Sequence, residues 1–294
     1  MNKKRVIIYG LGALGLTYAH LLKDKCDLKI LADENRIEKY KNSRLLLNNE
    51  EIFLEYITPK ENFEADFIII TTKFSGLDSA IANIKNFVAE KTKIISLMNG
   101  VSSENIIAQV YGKTKVVKSY FIGGSAIREG FSVTKLEGGK IVIPKNQKEL
   151  KDFFNKTGID YSEAEDIDYS LWVKLGVNII LNQLSAIYQK TVADLKSMDE
   201  YSALATNLID EVIIVAEKVG IKNLQNYKRD VFAGIDLVAN DGKTSMLQDV
   251  LNKRKTEVEI FSGEIIRLAK NFNISTPYNE KVYNKIKLIE ESYI

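Results

Sequence analysis

The chain has 294 residues, 45% hydrophobic and 27% charged, which is the make-up of an ordinary globular protein and enough length for two domains. Its 41 basic and 39 acidic side chains leave a net charge of +2, so neither nucleic acid nor an anionic membrane is expected as a main partner. The single cysteine, Cys26, excludes an intrachain disulfide, and the absence of a signal-like stretch or of an apolar run near the ~20 residues of a membrane span points to a cytoplasmic protein.

Residues 5–9 form a short β-branched run ending at Gly10 and read as a buried parallel strand. A helix is predicted over 13–23, then a strand over 28–32 ending at Asp33. Further strands are predicted over 66–72 and 94–98, with helices over 76–89 and 102–110. This alternation predicts a doubly wound parallel sheet. From 115 to 143 the pattern changes. Val116-Val117, residues 131–136 and residues 140–143 read as strands set apart by glycine turns at 123–124 and 138–139, and are expected to extend the sheet, partly antiparallel. A helix over 147–156 follows. From about 165 onward the apolar spacing is helical, with helices predicted over 168–189, 199–219, 226–239 and 253–272 and a last one after Pro277.

Gly10-Leu11-Gly12-Ala13-Leu14-Gly15 fits G-x-G-x-x-G directly between a predicted strand and helix, the setting in which the pattern carries weight. Gly10 permits the tight turn, Gly12 lets backbone approach a pyrophosphate, and Gly15 lets the helix pack on the sheet. The helix N-terminus then attracts the phosphates. Asp33, followed by Glu34, stands where a carboxylate meets the adenosine ribose. It favours NAD(H) over the 2′-phosphate of NADP(H), although Arg36 is near enough to admit the latter. Asp33 also reads as the N-cap of the next helix. The expected organisation is a Rossmann dinucleotide-binding domain over 1–164 and a helical substrate-binding and catalytic domain over 165–294. The one histidine, His20, reads as an ordinary residue of the first helix, so proton transfer must use another side chain. Cys26 reads as a small packing residue.

Beyond the glycine loop, the chain resembles the ketopantoate reductase (2-dehydropantoate 2-reductase) family over nearly its whole length. The motifs run Gly10–Gly15, Thr71-Thr72-Lys73, Asn99-Gly100, Leu171-Trp-Val-Lys174-Leu-Gly-Val-Asn178 with Asn182, Thr244-Ser245-Met-Leu-Gln-Asp249, and Lys255-Thr-Glu257. The resemblance implies reduction of 2-dehydropantoate to (R)-pantoate with NADPH, without a metal, on the way to pantothenate and coenzyme A. It implies Lys174 as general acid and Asn178, Asn182 and Ser245 as substrate ligands. It implies Lys73, Asn99, Ala126 and Glu257 against the cofactor or its nicotinamide end, with Glu257 also able to pair with the lysine.

The chemistry agrees. Hydride addition to a ketone leaves an alkoxide that needs a proton and a nearby positive charge. Lys174, Asn178 and Asn182 are spaced i, i+4, i+8 on one helix face, and neutral amides can hold a hydroxyl and a carboxylate. The 2-oxo acid is expected to enter the cleft between the two halves. Plainer readings stand beside these: Lys174 as a surface lysine over apolar neighbours, Ser245 as a helix N-cap, and Lys73 and Asn99 as loop residues. The sequence departs from the family at Asp33-Glu34, at Met98, where a histidine is common, and at Val192, where a substrate-contacting asparagine is known. An NAD-dependent D-2-hydroxyacid dehydrogenase acting on another 2-oxo acid therefore remains open, as does a non-catalytic dinucleotide sensor. A homodimer is a further expectation.

Overall fold

The computed structural model describes residues 3–124, 126–135 and 138–293, and its chain divides into two units, Met1–Ile167 and Asp168–Ile294. The first unit opens with β1 (Arg5–Tyr9), α1 (Ala13–Leu22), β2 (Asp27–Leu31) and α2 (Glu34–Lys41). Three short strands follow: β3 (Leu46–Leu47), β4 (Glu50–Glu51) and β5 (Tyr56–Ile57). The chain continues through β6 (Ala65–Ile70), α3 (Leu77–Asn83), β7 (Val88–Ser96), α4 (Ser103–Tyr111) and β8 (Val116–Val117). It ends with β9 (Tyr120–Ile122), β10 (Ala126–Glu129), β11 (Ser132–Lys135), β12 (Lys140–Pro144), α5 (Lys148–Thr157) and β13 (Tyr161–Ala164).

Six strands make one parallel sheet in the order β5-β2-β1-β6-β7-β8. That is the 3-2-1-4-5-6 order of a Rossmann sheet, in which the chain reverses direction of growth between β1 and β6. Apolar runs suit these strands because both faces are covered. Val6, Ile8, Phe67, Ile69 and Ile95 enter one core, while Ile7, Ile68, Ile70 and Ile94 enter the core on the opposite face. The alternation follows the two-residue period of a strand.

Between 115 and 144 the expected extension of the sheet is only partly realised. Val116–Val117 adds to it beside β7. The later strands form two small sheets of their own, β13-β12-β9 and β10-β11-β3-β4. The turn at Gly123 (φ +77°) redirects the chain after β9, and β12 returns antiparallel to β9. Close packing fixes this return, since a Cβ on Gly139 would lie 2.2 Å from the Phe121 ring. Leu136, the last residue of the predicted strand 131–136, lies outside the described residues. The helix predicted over 76–89 stops at Asn83, and β7 begins at Val88. Thr92 ties that early strand down, its hydroxyl donating to the Ala65 carbonyl at 2.6 Å and accepting from Ala89 N–H at 2.8 Å.

Among the described residues of the second unit every regular element is helical: α6 (Ile167–Tyr188), α7 (Val192–Lys196), α8 (Tyr201–Lys218), α9 (Tyr227–Asp236), α10 (Ser245–Leu251), α11 (Ser262–Lys270) and α12 (Pro277–Glu291). α6 is long and apolar enough to cross a membrane, but 67% of its most apolar window is buried within the protein, as in a core helix. Its Gly176 is dictated by packing. A Cβ there would sit 2.8 Å from the Tyr227 hydroxyl, which donates to the Trp172 carbonyl at 2.5 Å. α9 thus lies close against α6 through the glycine of the Lys174–Asn178 motif.

The helix predicted over 253–272 is also corrected. Residues 252–257 are irregular, Val258–Ile260 is a single 3-10 turn, and the helix proper starts at Ser262. The reason is a competing acceptor. Thr256 N–H and hydroxyl both donate to Glu290 Oε1 on α12 at 2.7 Å, so that backbone is drawn away from helical bonding.

Candidate functional site

In the first unit, the sequence-predicted residues fall at one edge of the sheet. Gly10 follows β1, Asp33 follows β2, Lys73 stands beyond β6 and Asn99 beyond β7. These four strands are adjacent and parallel, so their carboxyl ends share an edge, where open α/β sheets bind ligands.

The glycine loop is held at the reversal between β1 and β6. Thr71 hydroxyl donates to the Gly10 carbonyl at 2.6 Å, and Thr71 N–H to the Tyr9 carbonyl at 2.9 Å. Gly10 has φ +102°, and a Cβ there would meet Thr72 N at 2.9 Å. A Cβ on Gly15 would lie 1.9 Å from the Gly10 carbonyl oxygen. Both glycines are required by the protein itself. Gly12 is different: its φ is −75°, and a Cβ would find nothing nearer than the Thr71 carbonyl at 3.7 Å. The chain does not need glycine at 12 in order to fold, so the open face there is a cradle that a Cβ would fill. The loop runs on through Leu11, which is buried, and Ala13 and Leu14, which open α1 and pack against the core. α1 has no side-chain cap and no acidic residue in its first turn, leaving its positive end for an anion.

Asp33 is the N-cap of α2, its Oδ1 accepting from Arg36 N–H at 2.8 Å. Its neighbour Glu34 pairs with Lys60 at 2.8 Å. Lys73 is exposed at the start of a 3-10 turn, and Ala126 is the first residue of β10. Asn99 is half-buried, ahead of Gly100 at φ +90°. Behind its loop, Ser96 and Ser103 hydroxyls lie 2.9 Å apart, and Ser103 donates to Glu104 at 2.9 Å. Burial pushes the Glu104 carboxyl up to about 6. Neither this buried acid nor Arg128, whose Nη1 is 3.9 Å from the Cβ position of Gly12, was singled out by the sequence. Both come close to the loops only through the fold, and no local motif marks them.

In the second unit, direct hydrogen bonds join three of the predicted residues. Asn182 Nδ2 donates to Asn178 Oδ1 at 3.1 Å. Asn182 Oδ1 accepts from Ser245 Oγ at 3.0 Å and from Met246 N–H at 3.2 Å. Lys174, half-buried, stands one turn before Asn178 on the same face of α6. In this arrangement Asn182, only 9% exposed, is satisfied by its neighbours and braces Asn178 through its Oδ1. The N-cap reading of Ser245 is overturned. Thr244 caps α10, accepting from Leu247 N–H at 3.2 Å, which releases the Ser245 hydroxyl to Asn182. Glu257 is half-buried at the start of the 3-10 turn, in the segment that Glu290 anchors through Thr256. Val192 and Met98, where the sequence departs from the family, are both core residues at 0% and 4% exposure. Cys26 is likewise buried, and desolvation pushes its thiol up to about 12, so it packs and does not react.

Two family models divide the chain between them. That described as ketopantoate reductase PanE/ApbA matches residues 6–148, and that described as ketopantoate reductase PanE/ApbA C terminal matches residues 166–290. The chain belongs to the ketopantoate reductase family. Like other members of this family it is an oxidoreductase. It is 28% identical to the 2-dehydropantoate 2-reductase of Aquifex aeolicus, covering 97% of each chain. The solved complex of D-mandelate dehydrogenase with NADH shares its fold, with TM-score 0.87, 21% identity and coverage of 98% of this chain and 99% of that one. So does dimeric ketopantoate reductase from Staphylococcus aureus, with TM-score 0.79, 22% identity and coverage of 98% of this chain and 99% of that one.

Proposed function

We infer that this ketopantoate reductase family member reduces 2-dehydropantoate to (R)-pantoate with a nicotinamide dinucleotide. The observation that carries the reading is the Ser245–Asn182–Asn178 chain of hydrogen bonds, whose two asparagines share one face of α6 with Lys174. A polar stripe in an apolar helix, braced from behind by a second helix, is suited to a small polar substrate. The residues also fit the dinucleotide, because Gly12 keeps clear a space that the fold itself leaves empty, at the uncapped end of α1.

In this reading Gly10, Leu11, Gly12, Ala13, Leu14 and Gly15 take the pyrophosphate, and Lys73, Asn99 and Ala126 line the way to the nicotinamide. Asp33 Oδ2 accepts from a ribose hydroxyl while Oδ1 keeps its cap bond. A dinucleotide held by these residues would supply the hydride for the ketone carbon. Lys174 donates a proton to the ketone oxygen as negative charge builds there, and its own charge lowers the barrier to that build-up. Asn178 Nδ2 and the Ser245 hydroxyl hold the substrate carboxylate and hydroxyl. Glu257 orients the lysine or a cofactor hydroxyl. A homodimer of the kind named for the Staphylococcus aureus protein belongs to the same proposal.

A second reading has its own support. Asp33 is an exposed carboxylate at the ribose position, which favours NADH, and Val192 is apolar and buried where a substrate-contacting asparagine was expected. Both suit an NAD-dependent dehydrogenase for another 2-oxo acid. Steady-state rates with 2-dehydropantoate and several bulky 2-oxo acids, each with NADH and NADPH, separate the two. The first reading predicts the highest kcat/KM for 2-dehydropantoate. A higher value for another acid replaces it with the second, and no turnover of any 2-oxo acid refutes both.

A further inference from the structure

We propose that Arg128 is a pyrophosphate-binding residue, its guanidinium donating to the phosphate oxygens of a dinucleotide lying over Gly12; this rests on the dinucleotide reading above. The open space outside Gly12 is bordered by two groups, the Thr71 carbonyl and Arg128 Nη1, which stand 3.7 and 3.9 Å from the Cβ position. An anion brought against Gly12 by the amides of α1 therefore arrives beside a guanidinium.

The arginine is held there by its own hairpin. Its Nε donates to the Gly130 carbonyl at 2.9 Å, across the turn where Gly130 takes φ +59°. That bond holds the Nε edge of the guanidinium, while Nη1 stands on the side of the loop. The hairpin is anchored in turn, since Arg128 pairs with Val133, which is buried and pairs with Leu47 of β3.

Electrostatics favours the same ligand from two directions. The N-terminus of α1 carries a partial positive charge, with neither a side-chain cap nor an acidic residue in its first turn. Arg128 brings a guanidinium to the same side of Gly12. A diphosphate diester has two charged phosphates, so helix amides and guanidinium can each take one, the latter through a forked pair of N–H groups. Because the site is at Gly12 and not at the end of β2, Arg128 is blind to the adenosine 2′-phosphate, which the Asp33 region would meet.

The test is equilibrium titration of the full chain with NADH, NADPH and ADP-ribose, together with thermal melting. Arg128→Gln is expected to weaken all three by about 10- to 100-fold, leaving the NADH-to-NADPH ratio as in the wild type. Arg128→Lys, which keeps the charge but not the fork, is expected to fall between. Unchanged affinity in Arg128→Gln overturns the proposal, and so does a loss confined to NADPH. A parallel fall in melting temperature and affinity in both variants marks a structural residue and also overturns it. Wild-type protein that binds none of the three removes the dinucleotide reading itself, a separate result.

Discussion

Gly12 and Gly15 are the same residue type three positions apart, and the chain keeps them for different reasons. Gly15 answers to the Gly10 carbonyl, which a Cβ would strike at 1.9 Å. Gly12 answers to nothing inside the protein. Gly15→Ala is therefore expected to lose ~3 kcal/mol of folding stability. Gly12→Ala is expected to melt like the wild type yet bind NADH at least ~10-fold more weakly. Melting and NADH titration of the two variants check this, and a Gly12→Ala protein with normal affinity would contradict it. Asp33 caps α2, and in the proposed function it also presents a charge at the ribose. Asp33→Ser keeps a capping oxygen and removes the charge. It is expected to shift kcat/KM toward NADPH by about 10-fold relative to NADH, with the melting temperature unchanged. An unaltered ratio would leave Asp33 only its capping task. The capping role of Asp33 was legible in the sequence because a carboxylate stands directly before a predicted helix. Thr244 and Ser245 are both good caps, and only the structure tells that Thr244 caps α10 while the Ser245 hydroxyl turns to Asn182.

At the scale of elements, the segment carrying Glu257 is positioned from a distance. Glu290, on α12, accepts from Thr256 N–H and hydroxyl and pairs with Lys287 at 3.0 Å. Burial pushes the Glu290 carboxyl up, but the Thr256 and Lys287 contacts outweigh it and hold it below its ordinary 4.5. A carboxyl with a lowered folded value stabilises the protein above its unfolded value, and the contribution is lost as pH falls through the folded one. Glu290→Gln is therefore expected to be less stable than wild type at pH 7 by about 1–3 kcal/mol. The gap should close as pH falls below about 4. Denaturant melts at several pH values read this directly, and parallel curves would contradict it. The same contact explains why the helix predicted over 253–272 fails in nearly its first half. Apolar spacing there is helical, and the acceptor that redirects Thr256 lies 34 residues away in sequence. The parallel strands were legible because both their faces are buried and their apolar runs are continuous. The small sheets of residues 115–144 were not, since two-residue partners such as Leu46–Leu47 leave no periodic signal.

For the whole molecule, residues singled out by the sequence fall into two groups. One lies at the edge of the six-stranded sheet, and the other joins Lys174, Asn178 and Asn182 of α6 with Ser245 of α10. The spacing of Lys174, Asn178 and Asn182 was readable because a helix repeats every 3.6 residues. The bracing by Ser245 and Met246, and the approach of Arg128 to Gly12, depend on tertiary contacts that no local pattern encodes. The account stands on Lys174 as the proton donor. Turnover of Lys174→Ala with saturating 2-dehydropantoate and cofactor tests that most directly. A fall in kcat of ~100-fold or more is predicted, with the dinucleotide still bound. Turnover within a few-fold of wild type would contradict it.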